Sequence, residues 1–205
     1  GNPNPKYRGS VGMNATYKGL TMNVLVETSQ GNQMWAGTYA VLNNFGITPE
    51  TANEVTVSAA DAATIVNVTG KTIDKLVAAN TDGSFTVRGN IQDFNNNGQK
   101  VLLDQSWYTG LGGGFGSVSE HFIKDASWVR IREVSLNYVV PTNICKMMHV
   151  PGLTLGFSAR NLALWTKFPG IDPETNLSGV SNGRGLDYFT NPGTRSYMFS
   201  LKVNL

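Results

Sequence analysis

Apolar and polar residues alternate along the end of the chain, TRSYMFSLKVNL. The odd-numbered positions are apolar: Tyr197, Phe199, Leu201, Val203 and Leu205. The even-numbered positions, apart from Met198, are polar: Ser196, Ser200, Lys202 and Asn204. A helix would spread both sets around its circumference, so the pattern predicts a β-strand with one apolar face.

The same alternation predicts four more strands. We expect strands near 10–18, 20–29, 127–140 and 153–165, in addition to the one near 194–205. Lys18-Gly19 is predicted to be a two-residue hairpin turn, because glycine supplies the positive φ that a tight turn needs. The apolar phase slips near Arg132-Glu133, where either a β-bulge or the exit of the strand from an apolar environment would explain the slip.

The connections between these strands alternate in length. Lys18-Gly19 and Pro141 to Gly152 are short, whereas the connections near 30–126 and 166–193 are long. This order is typical of a membrane β-barrel with short turns on one side and long loops on the other. A soluble β-sandwich alternates too. Because strands of about 9 to 11 residues also suit a tilted bilayer crossing, the pattern favours a transmembrane antiparallel β-barrel with long extracellular loops.

Short elements are predicted inside the long 30–126 connection. Ser58 and Thr72 are candidate helix N-caps, because each precedes a short helical pattern. GSFTVRGNI and QKVLLDQSWY are predicted to be short strands on either side of a polar turn.

Composition excludes several classes of protein. The 205 residues carry 16 Lys and Arg against 14 Asp and Glu, a net charge of +2, which gives no basis for nucleic-acid binding. Cys145 is the single cysteine, so an intrachain disulfide and a cysteine metal cluster are excluded. Five strands cannot close a barrel, since bacterial single-chain barrels begin at about eight. The chain is therefore expected to be part of a larger sheet.

Four aromatic residues of the long connection are candidate ligand contacts, since such rings stack on sugars or pack against a partner: Trp35, Tyr39, Trp107 and Tyr108. Packing within the loop is the favoured interpretation, because aromatic rings bury large areas wherever they can.

The sequence offers no recognisable acid–base pair, so an enzyme is not predicted; the acidic residues considered are Glu27, Glu120, Asp125 and Glu133. His121 and His149 are far apart with no third ligand suggested, so zinc is not predicted either.

A weak calcium candidate lies in the long connection. Asp93, Asn95, Asn97, Gly98 and Asp104 copy the spacing of an EF-hand loop, with oxygen ligands at positions 1, 3 and 5 and glycine at position 6. Position 12 is Asp instead of the longer Glu, and strand-like residues flank the loop. A plain Asn-Gly turn is favoured, and Ca²⁺ is the only cofactor that the sequence raises.

Five segments together resemble the C-terminal end of SusC/RagA-type TonB-dependent transporters. They are NPNPKYRGSVGMNATYKGLTMNVLVETSQG, VRGNIQDFNNNGQKVLLDQSWY, EHFIKDASWVRIREVSLNYVVP, LTLGFSARNLALWTKFPGIDPETN and TRSYMFSLKVNL. They cover nearly the whole chain in the order of the family. Leu205 stands where the family often has Phe, and residues 52–81 match no pattern of the family.

The resemblance implies a 22-stranded barrel in the bacterial outer membrane, filled by an N-terminal plug. Such an importer is energised through TonB, and a SusD-like surface lipoprotein hands it glycans or peptides. The present chain would supply the last five strands and their loops, and its partners would be the rest of the barrel and plug, outer-membrane lipid and an oligosaccharide or peptide substrate.

Polar residues that face the lumen would then contribute to selectivity: Asn14, Asn23, Arg160, Lys202 and Asn204. Arg160 belongs to the RNL motif and is a candidate ligand contact, although a charge on a polar barrel wall is the favoured account. The alternative function is a secreted β-sandwich adhesin or carbohydrate-binding module. A sandwich would enclose Phe157 and Phe199 in a dry core and remain in aqueous buffer, whereas barrel strands would turn them to lipid and require detergent.

Overall fold

The structure, a computed structural model, describes residues 1–110, 119–177 and 184–204. The chain divides into two compact units. We call Gly1–Met34 with Lys124–Leu205 the sheet unit and Trp35–Ile123 the loop unit. Residue 205 and parts of both long connections lie outside the described residues.

Most of the described regular structure is β-strand. In chain order the strands are β1 (Tyr7–Tyr17), β2 (Leu20–Gln30), β3 (Gln33–Ala36), β4 (Glu54–Val57), β5 (Val66–Asn67), β6 (Phe85–Arg88), β7 (Asn90–Gln92), β8 (Val101–Leu103), β9 (Ile123–Asp125), β10 (Trp128–Val139), β11 (Gly152–Thr166), β12 (Leu186–Asp187) and β13 (Ser196–Asn204). The described α-helices are short: α1 (Gly37–Asn44), α2 (Ala59–Ala62), α3 (Gln105–Thr109) and α4 (Thr142–Met147). Short 3-10 helices lie at Pro49–Ala52, Ile73–Lys75 and Ser119–Phe122. None of the described helices has the length and apolar character that a membrane span requires.

A five-stranded antiparallel sheet dominates the sheet unit, in the order β1-β2-β10-β11-β13. These strands overlap the five segments in which the sequence alternates. Within the described residues β1 and β13 are the edges of this sheet, which is not closed on itself.

The predicted hairpin turn between β1 and β2 is confirmed. Tyr17 pairs with Leu20, which leaves Lys18 and Gly19 as the two turn residues. Both have positive φ, 46° and 86°, as the favoured two-residue hairpin turn requires. A Cβ on Gly19 would also lie 2.9 Å from the carbonyl oxygen of Val139, so glycine is required on two grounds.

The bulge interpretation of the phase slip is confirmed as well. Between Ile131 and Glu133 the partner strand β2 advances by one residue, so Arg132 is an extra residue on β10. Across the same step β11 carries one residue more than β10, and Asn161 there adopts a φ of 54°. Since a bulge shifts the parity of a strand, Ile131 and Val134 both face the apolar side.

Pairing aligns apolar side chains in rows that cross all five strands. One row consists of Ala15, Met22, Leu136, Phe157 and Phe199, and the next consists of Tyr17, Leu20, Tyr138, Leu155 and Leu201. The opposite face has a polar row of Asn14, Asn23, Ser135 and Ser158. In the apolar rows Phe199 is 80% exposed and Leu201 is 65% exposed, so none of the described sheets covers this part of the apolar face.

The loop unit has its own apolar core. Two small sheets, β4-β6 and β5-β8-β7, surround a buried cluster of Ala62, Ile65, Ile73, Val87 and Leu102. Ser58 caps α2 by accepting a hydrogen bond from the backbone N–H of Asp61, as predicted. The residues at 30–126 therefore include a folded unit.

One predicted strand of the loop unit is wrong in its second half. QKVLLDQSWY forms β8 only up to Leu103, and α3 follows. The Asp104 carboxylate accepts hydrogen bonds from the backbone N–H groups of Ser106 and Trp107, 2.9 and 3.2 Å away. This N-cap starts a helix at a position where apolar alternation alone indicates a strand.

Candidate functional site

The candidate aromatic residues of the loop unit differ in burial. Trp107 and Tyr108 are 7% and 5% exposed, whereas Trp35 and Tyr39 are half-buried. The Trp107 ring packs against Phe94 with centroids 5.2 Å apart. Most of the surface of Trp107 and Tyr108 is therefore used in packing.

Tyr108 also borders a cavity of about 490 Å³ in the loop unit. The end of α1, the end of β6 and α3 form its wall, with Phe45, Arg88, Asp104 and Tyr108 among the lining residues. Arg88 Nε donates to the carbonyl oxygen of Thr51 at 3.0 Å, which fixes the direction of the guanidinium. The wall thus combines aromatic rings with a cation, a carboxylate and amides, groups that suit a polar oligomer with hydrogen-bonding units.

Burial controls the two phenols of this unit. Burial raises the pKa of Tyr108, whose oxygen accepts a hydrogen bond from Asn90 Nδ2 at 2.9 Å. Burial also raises the pKa of Tyr39, and the nearby Glu50 carboxylate raises it further. Both hydroxyls are therefore uncharged hydrogen-bonding groups at neutral pH.

We expect Tyr39 and Tyr108 to ionise at higher pH in the folded protein than in guanidinium chloride. A raised folded pKa favours the neutral phenol, so its contribution to stability is complete below the unfolded pKa of about 10 and is lost as pH rises. Phenolate absorbance of the wild type minus that of a Tyr39→Phe/Tyr108→Phe variant isolates the two groups. If the absorbance difference had the same pH midpoint in the folded and in the denatured protein, burial would not be controlling these two phenols.

The calcium candidates lie in two different hydrogen-bonding arrangements. The Asp93 carboxylate accepts from the backbone N–H groups of Asn95, Asn97 and Gly98 at 3.2, 3.3 and 2.5 Å, which closes a local turn. Asp104 caps α3 and accepts from Asn67 Nδ2 at 2.8 Å. Among the described residues no group of three or more His, Cys, Asp or Glu side chains could hold a metal ion. Calcium binding by this loop stays a prediction.

Arg160 lies on the polar face of the sheet unit beside the bulge. Its Nε donates to Glu133 Oε2 at 3.1 Å, and its side chain is 65% exposed. The residue thus pairs with the neighbouring strand and still presents charge to the space next to the polar face.

A second set of arginines near Arg160 was not singled out in the sequence. Arg130 is buried, and its Nη2 donates to both carboxylate oxygens of Asp172, 2.6 and 2.7 Å away. Its Nε lies 3.0 Å from the Glu174 carboxylate. These ion pairs attach the start of the connection after β11 to the polar side of β10.

Arg132, the bulge residue, extends this cluster. Its guanidinium donates to Glu27 and Glu174, each at 2.6 Å, and to Asn161 Oδ1 at 3.0 Å. The sequence contains a signal for this arrangement, because two arginines and two acidic residues each occur at a spacing of two. The FPGIDPE segment is therefore a loop that ion pairs hold against the bulge.

Comparison with known proteins gives a partial sequence match. No family model matches the chain. A curated relative, TonB-dependent receptor P3 of Formosa agariphila, is 30% identical over 91 residues, which are 42% of this chain and 9% of the relative. The chain thus spans less than a tenth of that protein.

Solved structures match over nearly the whole chain. A structure of the RagAB peptide importer in the closed-closed state aligns with a TM-score of 0.54 at 18% identity, covering 97% of this chain and 17% of that chain. A structure of the RagAB peptide transporter aligns with a TM-score of 0.55 at 17% identity, covering 98% and 17%. At this identity the likeness shows a shared fold.

Proposed function

With the resemblance to SusC/RagA-type TonB-dependent transporters confirmed, we propose that the chain forms wall strands and loops of an outer-membrane importer. The sheet unit supplies five strands near the C-terminal end of a 22-stranded barrel. The loop unit lies on the extracellular side, where long connections of such barrels are found. The chain has no catalytic role in this account.

The two-faced sheet is the observation that carries the proposal. Its apolar rows cross all five strands, and Phe199 is 80% exposed at their edge. An exposed apolar surface of this size is unfavourable in water, whereas the hydrocarbon of a bilayer would cover it. The polar rows suit a water-filled lumen. A β-sandwich would enclose Phe157 and Phe199 between two sheets, and the exposure of Phe199 argues against it.

We propose peptides as the imported nutrient, with glycans as the second candidate. The aligned structures are of a peptide importer, which supports this choice. The cavity beside Tyr108 offers Arg88, Asp104 and exposed aromatic surface at Phe45. A peptide has the charged ends and amides that these groups can bind. Arg160 and Lys202 would contact the substrate from the lumen wall.

The partners follow from the same reasoning. Strands β1 and β13 need neighbours, which the rest of the barrel provides, because an open sheet edge is not tolerated in lipid. A SusD-like surface lipoprotein would present substrate to the loops. The plug and a TonB contact would lie in the part of the transporter outside this chain.

Uptake by cells tests the proposal directly. Cells that lack the full-length gene should lose import of labelled oligopeptides and regain it on complementation, and an uncoupler or loss of TonB should abolish it. A labelled oligosaccharide of similar size is the matched control. Import of the oligosaccharide alone would replace peptides by glycans as the substrate, and import of neither would contradict the transporter role.

A further inference from the structure

One end of the strands in the sheet unit carries no Asp or Glu. We call this end, which carries the short connections, the short-turn rim, comprising residues 16–21, 138–156 and 200–204. Apart from tyrosine and the buried Cys145, its ionisable side chains are Lys18, Lys146, His149 and Lys202. Towards the other end lie the acidic residues Glu27, Glu133, Asp172 and Glu174. The short-turn rim is therefore purely cationic.

The two short connections lie side by side in this rim. The carbonyl oxygen of Gly19 accepts a hydrogen bond from the backbone N–H of Val139 at 2.9 Å, just before the chain enters α4. Lys202 pairs with Thr154 on the polar face of the sheet, which the proposed barrel turns to the lumen. Lys18 and Lys146, in the two connections themselves, are exposed, so their ammonium groups can reach a ligand outside the chain.

Helix α4 adds an apolar surface to the lysines. Ile144, Met147 and Met148 occupy positions i, i+3 and i+4, which share one helix face. They are 42%, 81% and 55% exposed. Cys145 anchors the other side of the helix, since it is 1% exposed and its sulfur lies 3.5 Å from the carbonyl oxygen of Val140. The helix thus has an exposed apolar face, and Lys146 is exposed on a different side of the same helix.

We propose that the short-turn rim binds anionic phospholipid, with α4 lying in the membrane interface and the lysines pairing with lipid phosphates. The inference rests on the proposed barrel. Within the rim, Tyr17 and Tyr138 lie in the last apolar row that crosses all five strands, at the level where aromatic rings meet the headgroups. Lysine stems lie along apolar surface while their ammonium groups reach phosphate, and an interfacial helix combines these same two surfaces.

The positive charge of the rim favours lipid phosphate as its ligand over another apolar protein surface. Two exposed lysines, Lys18 and Lys146, with no Asp or Glu among the described residues of the rim, favour the approach of an anion. Each lysine near an anionic membrane strengthens binding about five-fold. A protein surface, such as the plug, would have to bring acidic residues of its own, and it is the competing outcome of the test.

The test uses the full-length transporter in nanodiscs of phosphatidylcholine and phosphatidylglycerol. An environment-sensitive dye is attached through Met147→Cys in a background without other reactive cysteines; Cys145 is buried. The tracer lipid carries a nitroxide on its headgroup and is phosphatidylglycerol in one series and phosphatidylcholine in the other. We expect the dye to be quenched at a much lower content of labelled phosphatidylglycerol than of labelled phosphatidylcholine. Equal quenching by both tracers, or none by either, would overturn the proposal.

Two sets of lysine substitutions separate rim charge from total charge. Lys18→Gln/Lys146→Gln should raise the phosphatidylglycerol needed for half-quenching about five-fold for each lysine removed. The control, Lys71→Gln/Lys75→Gln, removes the same charge from the loop unit and should leave the phosphatidylglycerol needed for half-quenching unchanged. An equal effect of both sets would overturn the assignment to the rim.

A dye at Phe199→Cys distinguishes failure of this inference from failure of the barrel. Quenching there by acyl-chain nitroxides, without the headgroup effect at position 147, would refute lipid binding by the rim and leave the barrel standing. Absence of acyl-chain quenching at position 199 would refute the barrel itself.

Discussion

Replacing Phe199 by arginine is expected to lower the free energy of unfolding of the membrane-inserted transporter by about 1 to 3 kcal/mol. Phe199 is 80% exposed on the apolar face, so the new side chain meets no crowding within the chain. In the barrel it would lie in hydrocarbon, one row deeper than the row that contains Tyr17 and Tyr138, where an unpaired guanidinium is unfavourable. Guanidinium unfolding in lipid vesicles measures the change.

Met198→Arg is the matched control for this prediction. Met198 is the neighbouring residue on the same strand, is 64% exposed and faces the opposite side of the sheet. Arginine there would project into the water-filled lumen and should change the free energy of unfolding by less than about 1 kcal/mol. Equal losses for the two variants would contradict the assignment of the faces.

Removing the negative charge of Asp172 is expected to lower the free energy of unfolding by up to about 3 to 5 kcal/mol. Asp172→Asn keeps the shape of the side chain but leaves Arg130, whose side chain is only 4% exposed, with Glu174 as its remaining carboxylate partner. Because the pair attaches the FPGIDPE segment to the sheet, limited proteolysis should cut this segment faster. Unfolding in vesicles gives the magnitude.

Glu133→Gln supplies the comparison for Asp172→Asn. Glu133 pairs with Arg160, whose side chain is 65% exposed, and an exposed ion pair contributes about 0 to 1 kcal/mol. Small effects for both variants would show that the Arg130–Asp172 pair does not hold the loop.

Local chemistry decided which parts of the fold could be predicted from the sequence. Lys18-Gly19 predicts its own turn because a two-residue hairpin needs positive φ. The parity change around Arg132 indicates either a bulge or the exit of the strand from an apolar environment, because side chains alternate strictly along a strand, and the structure has the bulge. Both signals are contained in a few adjacent residues, so neither depends on the rest of the fold.

Other parts of the fold were missed, for local reasons in the helices and for a long-range reason in the ion pairs. Helix α1 has no side-chain hydrogen bond at its N-cap, so no start signal marks it. The strand predicted over α3 is wrong because Asp104 caps a helix there. The pairing of Arg130 with Asp172 joins residues 42 positions apart and requires the strand register to be known. Of the candidate aromatics, Trp107 and Tyr108 proved to be core residues of the loop unit.

A nitroxide scan along β13 in proteoliposomes tests the central claim most directly. One label at a time is placed at positions 197 to 203 of the full-length transporter, and collision with oxygen is compared with collision with a water-soluble nickel chelate. The account predicts strict alternation, with oxygen access at 197, 199, 201 and 203 and chelate access at the positions between. Protection of positions 199 and 201 from both reagents would place these side chains in a packed protein core and contradict the transmembrane wall.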